Sequence, residues 1–107
     1  MSGHYLSHLL APRSIVLAGA SEREHSLGRV VFENLRAAGF QGTTYPLNPK
    51  YATVFGVPCF AAAEDLPDAP ELLVVASPAP SVLPLIEACA KRGTRHALVL
   101  SAGFAEA

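Results

Sequence analysis

The residues of this chain that could do chemistry fall into four short groups: Gly19-Ala20-Ser21 with Ser26-x-Gly28 behind it, Asn48-Pro49-Lys50, Ser77-Pro78-Ala79-Pro80, and Ser101-Ala102-Gly103. Small residues and hydroxyls of this kind suit the binding of an oxyanion. Free backbone N–H groups at a helix start carry partial positive charge, and a hydroxyl adds a donor. The first group has the spacing G-x-S-x4-S-x-G. It departs from the dinucleotide fingerprint G-x-G-x-x-G, because Ser21 stands where the second glycine would let a pyrophosphate approach the backbone. Its two hydroxyls could donate to phosphate oxygens. A plain strand-to-helix turn with a serine cap accounts for the same residues equally well.

The second group discriminates better. An NAD site wants Asp or Glu roughly 20 residues after the glycine loop, to accept from the ribose hydroxyls. Here the position carries Asn48-Pro49-Lys50. A lysine suits a phosphorylated ribose, either the 2′-phosphate of NADP or the 3′-phosphate of coenzyme A. It could also be a solvated loop lysine. Ser77-Pro78-Ala79-Pro80 makes a rigid wall that could sandwich an adenine or a pantetheine arm, or it only starts the next helix.

Other reactive residues form no constellation. His25 lies in the first loop, while His4, His8 and His96 have no partner at triad or ligand spacing. Cys59 and Cys89 stand apart with no CxxC, so two buried thiols are expected and no metal site. Glu22 and Glu24 would repel a phosphate, so they should point outward, with Arg23 offsetting them. No catalytic residue is assigned, and the pattern describes a binder of a nucleotide-like ligand.

These groups need elements to position them. Apolar runs at 15–18, 43–47, 72–76 and 97–100 read as strands, with a short one near 57–60. A helix over 27–38 is expected to bury Leu27, Val31, Leu35 and Ala38, with Val30 beside them, and to end at Gly39. Its cap is Ser26, although Ser21-x-x-Glu24 also matches a capping box. A one- or two-turn helix is expected over 61–66. A second long helix over 82–92 has Val82, Leu85, Ile86 and Cys89 on its core face, a Glu87–Lys91 pair and Gly93 at its end. Tyr5, Leu6, Leu9 and Leu10 give residues 1–13 an amphipathic character. Strands alternating with helices predict an α/β fold, a Rossmann-like doubly wound, mainly parallel sheet of about five strands with helices on both faces. All four residue groups then fall on the carboxyl edge of one sheet.

Composition bounds the rest. The chain has 107 residues, 50% hydrophobic and 16% charged, which suits one domain with a core and excludes a disordered chain. A net charge of -1 argues against sequence-blind nucleic-acid binding. No apolar run reaches a membrane span, and the N-terminus has no signal-peptide pattern. A cytoplasmic protein without membrane or nucleic-acid partners is expected. The abrupt end after Ala107 suggests a single domain, 1–107, of a longer multidomain protein.

Pro12-Arg13-Ser14-Ile15, Gly19-Ala20-Ser21, Ser26-x-Gly28, Tyr45-Pro46-Leu47-Asn48-Pro49-Lys50-Tyr51, Gly56-Val57-Pro58-Cys59, Asp65-Leu66-Pro67, Ser77-Pro78-Ala79 and Ser101-Ala102-Gly103-Phe104 occur in that order. The series resembles the N-terminal CoA-binding domain of NDP-forming acyl-CoA synthetases, which are related to the succinyl-CoA synthetase α subunit. The resemblance implies that Gly19, Ala20, Ser21 and Ser26 line the phosphates of CoA or acyl-CoA, while Gly28, read from the residues, would let the helix start lie close to the ligand or the sheet. It places Lys50, with Asn48 and Pro49, near the phosphorylated ribose. Ser77, Pro78 and Ala79 would line the adenine and pantetheine path, and Ser101, Ala102 and Gly103 would approach the thiol end. Leu47 and Ser77 stand where Val is common in the family. The family's phosphorylated histidine and ATP-grasp domain lie elsewhere, in domains or subunits that would be partners. The same domain also opens synthetase-like lysine acetyltransferases fused to a GNAT domain. The remaining alternatives are an NADP-binding oxidoreductase domain and a regulatory module that keeps the fold but senses CoA or has lost binding.

Overall fold

The apolar run Ser14–Ala18 becomes the central strand, β1, in a computed structural model that describes residues 13–77 and 79–100. It is followed by helix α1 (Leu27–Ala37), β2 (Thr43–Leu47), the two-residue strands β3 (Thr53–Val54) and β4 (Val57–Pro58), and a 3-10 turn (Ala63–Asp65). Then come β5 (Leu72–Val75), a second 3-10 turn (Ala79–Ser81), helix α2 (Val82–Arg92) and β6 (His96–Val99). Four strands form one parallel sheet in the order β2-β1-β5-β6. The chain winds outward from β1 to β2, then returns past β1 to β5 and β6. The winding direction therefore reverses between β1 and β5, and in open α/β sheets that reversal opens a ligand crevice at the carboxyl ends of the strands.

Alternation along the strands divides the core into two layers. Ile15, Leu17 and Val74 pack with Phe32 of α1 and Val54 of the β3–β4 hairpin. Val16, Ala18, Leu73 and Val75 face the other way, onto Cys89, Val82, Leu85 and Ile86 of α2. Helices on both faces of a parallel sheet match the doubly wound expectation, and α2 buries the face read from its sequence.

Four expectations are corrected. The main sheet has four strands among the described residues, and the segment near 57–60 splits. Val57 and Pro58 pair antiparallel with Thr53 and Val54, while Phe60 adds a single parallel bridge to Leu47. The buried face of α1 is rotated: Gly28 and Phe32 (2% exposed) are its innermost residues, with Val31 and Leu35 beside them, whereas Val30 is 45% exposed. A glycine is silent in an apolar periodicity, which hid the 28–32 pair. The helix over 61–66 shrinks to Ala63–Asp65, because Pro67 pushes Leu66 into an extended conformation (φ -66°, ψ 139°). Glu87 and Lys91 form no ion pair; the described residues hold Arg13–Glu71 and Arg29–Glu33.

Both helices end in the same hydrogen-bonded motif. After α1, Gly39 at φ +73° donates to the Arg36 carbonyl and Phe40 to the Leu35 carbonyl. After α2, Gly93 at φ +108° and Thr94 do the same to Ala90 and Cys89. A left-handed glycine satisfies the last carbonyls and stops the helix.

Candidate functional site

At the carboxyl end of β1 the chain turns through Gly19, Ala20 and Ser21 in close contact with everything around it. The Gly19 N–H donates to the Leu47 carbonyl at the end of β2 (2.9 Å). Gly19 adopts φ +89°, and a Cβ there would lie 2.9 Å from the Ser77 nitrogen and 2.8 Å from the Ala76 carbonyl carbon. The tips of β1 and β5 thus touch at the reversal point. Gly28 closes the same loop from the helix side: a Cβ on it would lie 1.9 Å from the Gly19 carbonyl oxygen. Only a glycine lets the first turn of α1 sit this close to the strand tip. Its absent side chain serves packing against the loop.

The helix start is built to stay electropositive. Ser26 is its cap, as expected, with its Oγ accepting from the Arg29 N–H (3.2 Å) and donating to the Arg23 carbonyl (2.8 Å). The first turn carries no acidic residue. The Ser26 hydroxyl is therefore engaged in folding the loop, and the capping-box alternative is not formed. Ser21 is buried, and its Oγ accepts from the Arg23 N–H (2.9 Å), which leaves its own proton to donate. At the start of α2, Ser81 makes no side-chain cap and the first turn again lacks an acidic residue.

Asn48 does more than sit beside Lys50. Its Nδ2 donates to the Ala20 carbonyl (3.0 Å) and its Oδ1 accepts from the Lys50 N–H (2.9 Å). One amide thus joins the β1 loop to the β2 tip and sets the turn that carries Pro49 and Lys50, both exposed. Ser77, two residues past the end of β5, has a buried Oγ with no hydrogen-bond partner among the described residues. Gly19, Ala20, Ser21, Ser26, Gly28, Asn48, Pro49, Lys50 and Ser77 therefore meet on one sheet edge. The side chain of Ala79, together with Pro78, Ser101, Ala102, Gly103 and residues 1–12, lies outside the described part.

Sequence reasoning missed one cluster. Glu22 does not simply point away: its Oε2 accepts from the Phe55 N–H (2.6 Å). Arg29 donates to the Glu22 carbonyl (2.9 Å), lies 5.3 Å from the centre of the Phe55 ring and pairs with Glu33 (3.2 Å). Phe55 and Gly56 are the two turn residues of the hairpin, at φ +48° and +80°. A two-residue turn with both φ positive normally selects Asn-Gly, so Phe-Gly carried little turn signal. His25, in the same loop, also has positive φ (65°) and is exposed.

The thiols are placed as structural groups. Burial pushes Cys59 above its usual range, opposed by a hydrogen-bonding interaction with the backbone of Asn48. Burial also pushes Cys89 up, opposed by nearby Arg92 and reinforced by Glu64. Both are free; Cys89 is buried in one core layer as expected, whereas Cys59 is only half-buried against the other. No cluster of metal-ligating side chains exists among the described residues, and no helix among them is long and apolar enough to cross a membrane.

Residues 13–107 match the family model described as a CoA binding domain. An ADP-forming acetate–CoA ligase of Methanocaldococcus jannaschii is 36% identical over 101 residues, covering 94% of this chain and 14% of the ligase. A 4-hydroxybutyrate–CoA ligase (ADP-forming) of Nitrosopumilus maritimus is 34% identical over 100 residues, with 94% and 14% covered. Among solved structures, the dinucleotide forming acetyl-coenzyme A synthetase 1 of Ca. Korarchaeum cryptofilum, in complex with phosphate and ADP, superposes with a TM-score of 0.84. It is 35% identical and is covered over 94% of this chain and 22% of the synthetase. The chain therefore spans about one seventh of these two ligases. These relatives favour the ligase resemblance over the acetyltransferase and oxidoreductase alternatives. With its doubly wound sheet, its crowded glycine loop and a match running from residue 13 to the end, this chain belongs to the CoA-binding domain family, homologous to the N-terminal part of ADP-forming acyl-CoA synthetases.

Proposed function

We propose that this domain holds CoA, free or acylated, across the crevice between β1 and β5, and presents its thiol to the catalytic parts of an ADP-forming acid–CoA ligase. The observation that carries this reading is the convergence of the Gly19–Gly28 contact, the Asn48-held tip with Lys50, and Ser77 on one sheet edge. The diphosphate lies against Gly19, Ala20 and Ser21 and the electropositive start of α1. Lys50 meets the phosphorylated ribose. Pro78, Ala79, Ser101, Ala102 and Gly103 guide the adenine and pantetheine toward the thiol end. Ser26 acts from behind, through the loop it caps.

The domain's part in the reaction is orientation, because none of these residues, among the described ones, has a partner arrangement for proton transfer. In the ligase, the CoA thiolate attacks an acyl phosphate, phosphate leaves, and the nucleotide supplies the driving force. The histidine and ATP-grasp parts for that chemistry belong to further domains or subunits of a longer, cytoplasmic protein.

Calorimetric titration of the chain with CoA, dephospho-CoA, NADP and NAD tests the reading. CoA is expected to bind, NAD and NADP to remain silent, and dephospho-CoA to bind more weakly. Lys50→Ala should weaken CoA binding about tenfold, as loss of a charged contact does, and leave dephospho-CoA unchanged. Equal binding of CoA and dephospho-CoA by the native chain would remove Lys50 from the site. Binding of NADP alone would overturn the function and leave the fold standing.

A further inference from the structure

The hairpin at residues 53–58 stands beside the anion loop, and its turn residue Phe55 is held at φ +48°, a conformation costly for a bulky side chain. Three contacts hold it there. Its ring stacks on Phe32 of α1 (centroids 5.7 Å apart, planes 18° apart), Arg29 lies over the ring, and its N–H meets the Glu22 carboxylate. Glu22 and Arg29 flank the start of α1, where the ligand phosphates are placed.

We propose that Glu22 is a positioning residue: its carboxylate, held by the Phe55 N–H, anchors the 19–26 loop to the hairpin and keeps its negative charge off the phosphate-binding helix start. This inference rests on the CoA reading above. It makes the hairpin a working part of the site. Without the anchor, the segment between Ser21 and Ser26 loses its only side-chain bond to the hairpin among the described residues. Its acidic side chain is then free to swing toward the same N–H groups that a phosphate needs. Arg29 adds a second link through the Glu22 carbonyl and the Phe55 ring, which removal of the Glu22 carboxylate leaves in place, so the Phe55 N–H bond is what the variants isolate.

The test uses four forms of the full chain: native, Glu22→Ala, Glu22→Gln and Phe55→Asn. Gln keeps the acceptor without the charge. Asn tolerates the left-handed turn and keeps the N–H. CoA titration is paired with the amide proton shift at position 55 and with hydrogen exchange over residues 21–26. Glu22→Ala is expected to weaken CoA about three- to tenfold, to lose the hydrogen-bonded amide signature and to speed loop exchange. Glu22→Gln is expected to restore all three. Phe55→Asn should keep the amide signature. Native-like or tighter CoA binding by Glu22→Ala would overturn the proposal, since a carboxylate that only repels phosphate would improve binding on removal. Failure of Glu22→Gln to rescue would overturn it as well. A native chain silent toward CoA refutes the CoA reading; the anchor is then decided by the amide signature and the loop exchange.

Discussion

Replacing Gly28 with alanine sets two opposed effects against each other. On helix propensity alone, Gly→Ala inside a helix stabilises by about 1 kcal/mol. The added Cβ would lie 1.9 Å from the Gly19 oxygen, and ordinary contact begins at 3.4 Å, so loop and helix must separate by 1.5 Å. Gly19 has little room to retreat: its N–H is bonded to Leu47, and on another side Ala76 and Ser77 occupy the space a Cβ would need. The start of α1 must move instead, pulling on the Ser26 cap. Overpacking of this kind costs about 1–3 kcal/mol or more, and a strained cap adds to it. The net expectation is a loss of about 1–2 kcal/mol, or about 5–10 °C in Tm for a domain of this size. CoA affinity should fall at least tenfold, because the displaced groups are the proposed phosphate donors. Gly39→Ala is the comparison: it meets nothing within 4 Å, and its cost is only that of φ +73°. It should lower Tm without altering CoA affinity. Urea unfolding and calorimetry on both variants decide the matter. A Gly28→Ala chain as stable as the native one, with native CoA affinity, would refute the close approach of helix and loop.

Asn48→Ala removes the bond to Ala20 and the turn acceptor for Lys50, and is expected to cost about 1–2 kcal/mol in urea unfolding and to weaken CoA and dephospho-CoA alike. Ser77→Ala removes a buried hydroxyl without a partner among the described residues, so stability should hold or rise by up to about 1 kcal/mol, read as Tm. Both thiols are raised in the folded chain from a reference of 9.0, so the folded state keeps their protons longer than the unfolded one. Their contribution is complete below pH 9.0 and is lost as pH climbs through the raised folded values. Cys89→Ala should flatten the fall of Tm above about pH 9, the reference thiol range.

Sequence punctuation located the elements with little error where it was strong. Gly39 and Gly93 end α1 and α2 where an unpaired carbonyl needs a left-handed residue, and Ser26 caps α1. The span of β2 and that of α2 matched their expected limits, because Pro49 and Gly93 bound them. What stayed hidden depends on contacts distant in sequence. Phe55 is a turn residue only because Phe32, Arg29 and Glu22 hold it there. Phe60 reads as a strand residue, yet forms one bridge to Leu47 at the sheet rim. The placement of Gly19, Lys50 and Ser77 on one edge followed from the expected parallel direction of the strands that carry them. The second duty of Asn48 could not, since its partner Ala20 is 28 residues away.

The amide of Asn48 also bears on the kinetics of capture. A loop stapled to the neighbouring strand tip before any ligand arrives has little ordering left to do on encounter. Association should then be governed by diffusion and by the pull of exposed cations such as Lys50 on a polyanion, and it should slow as salt rises. Ligands that differ in their phosphates would be told apart mainly by how long they stay.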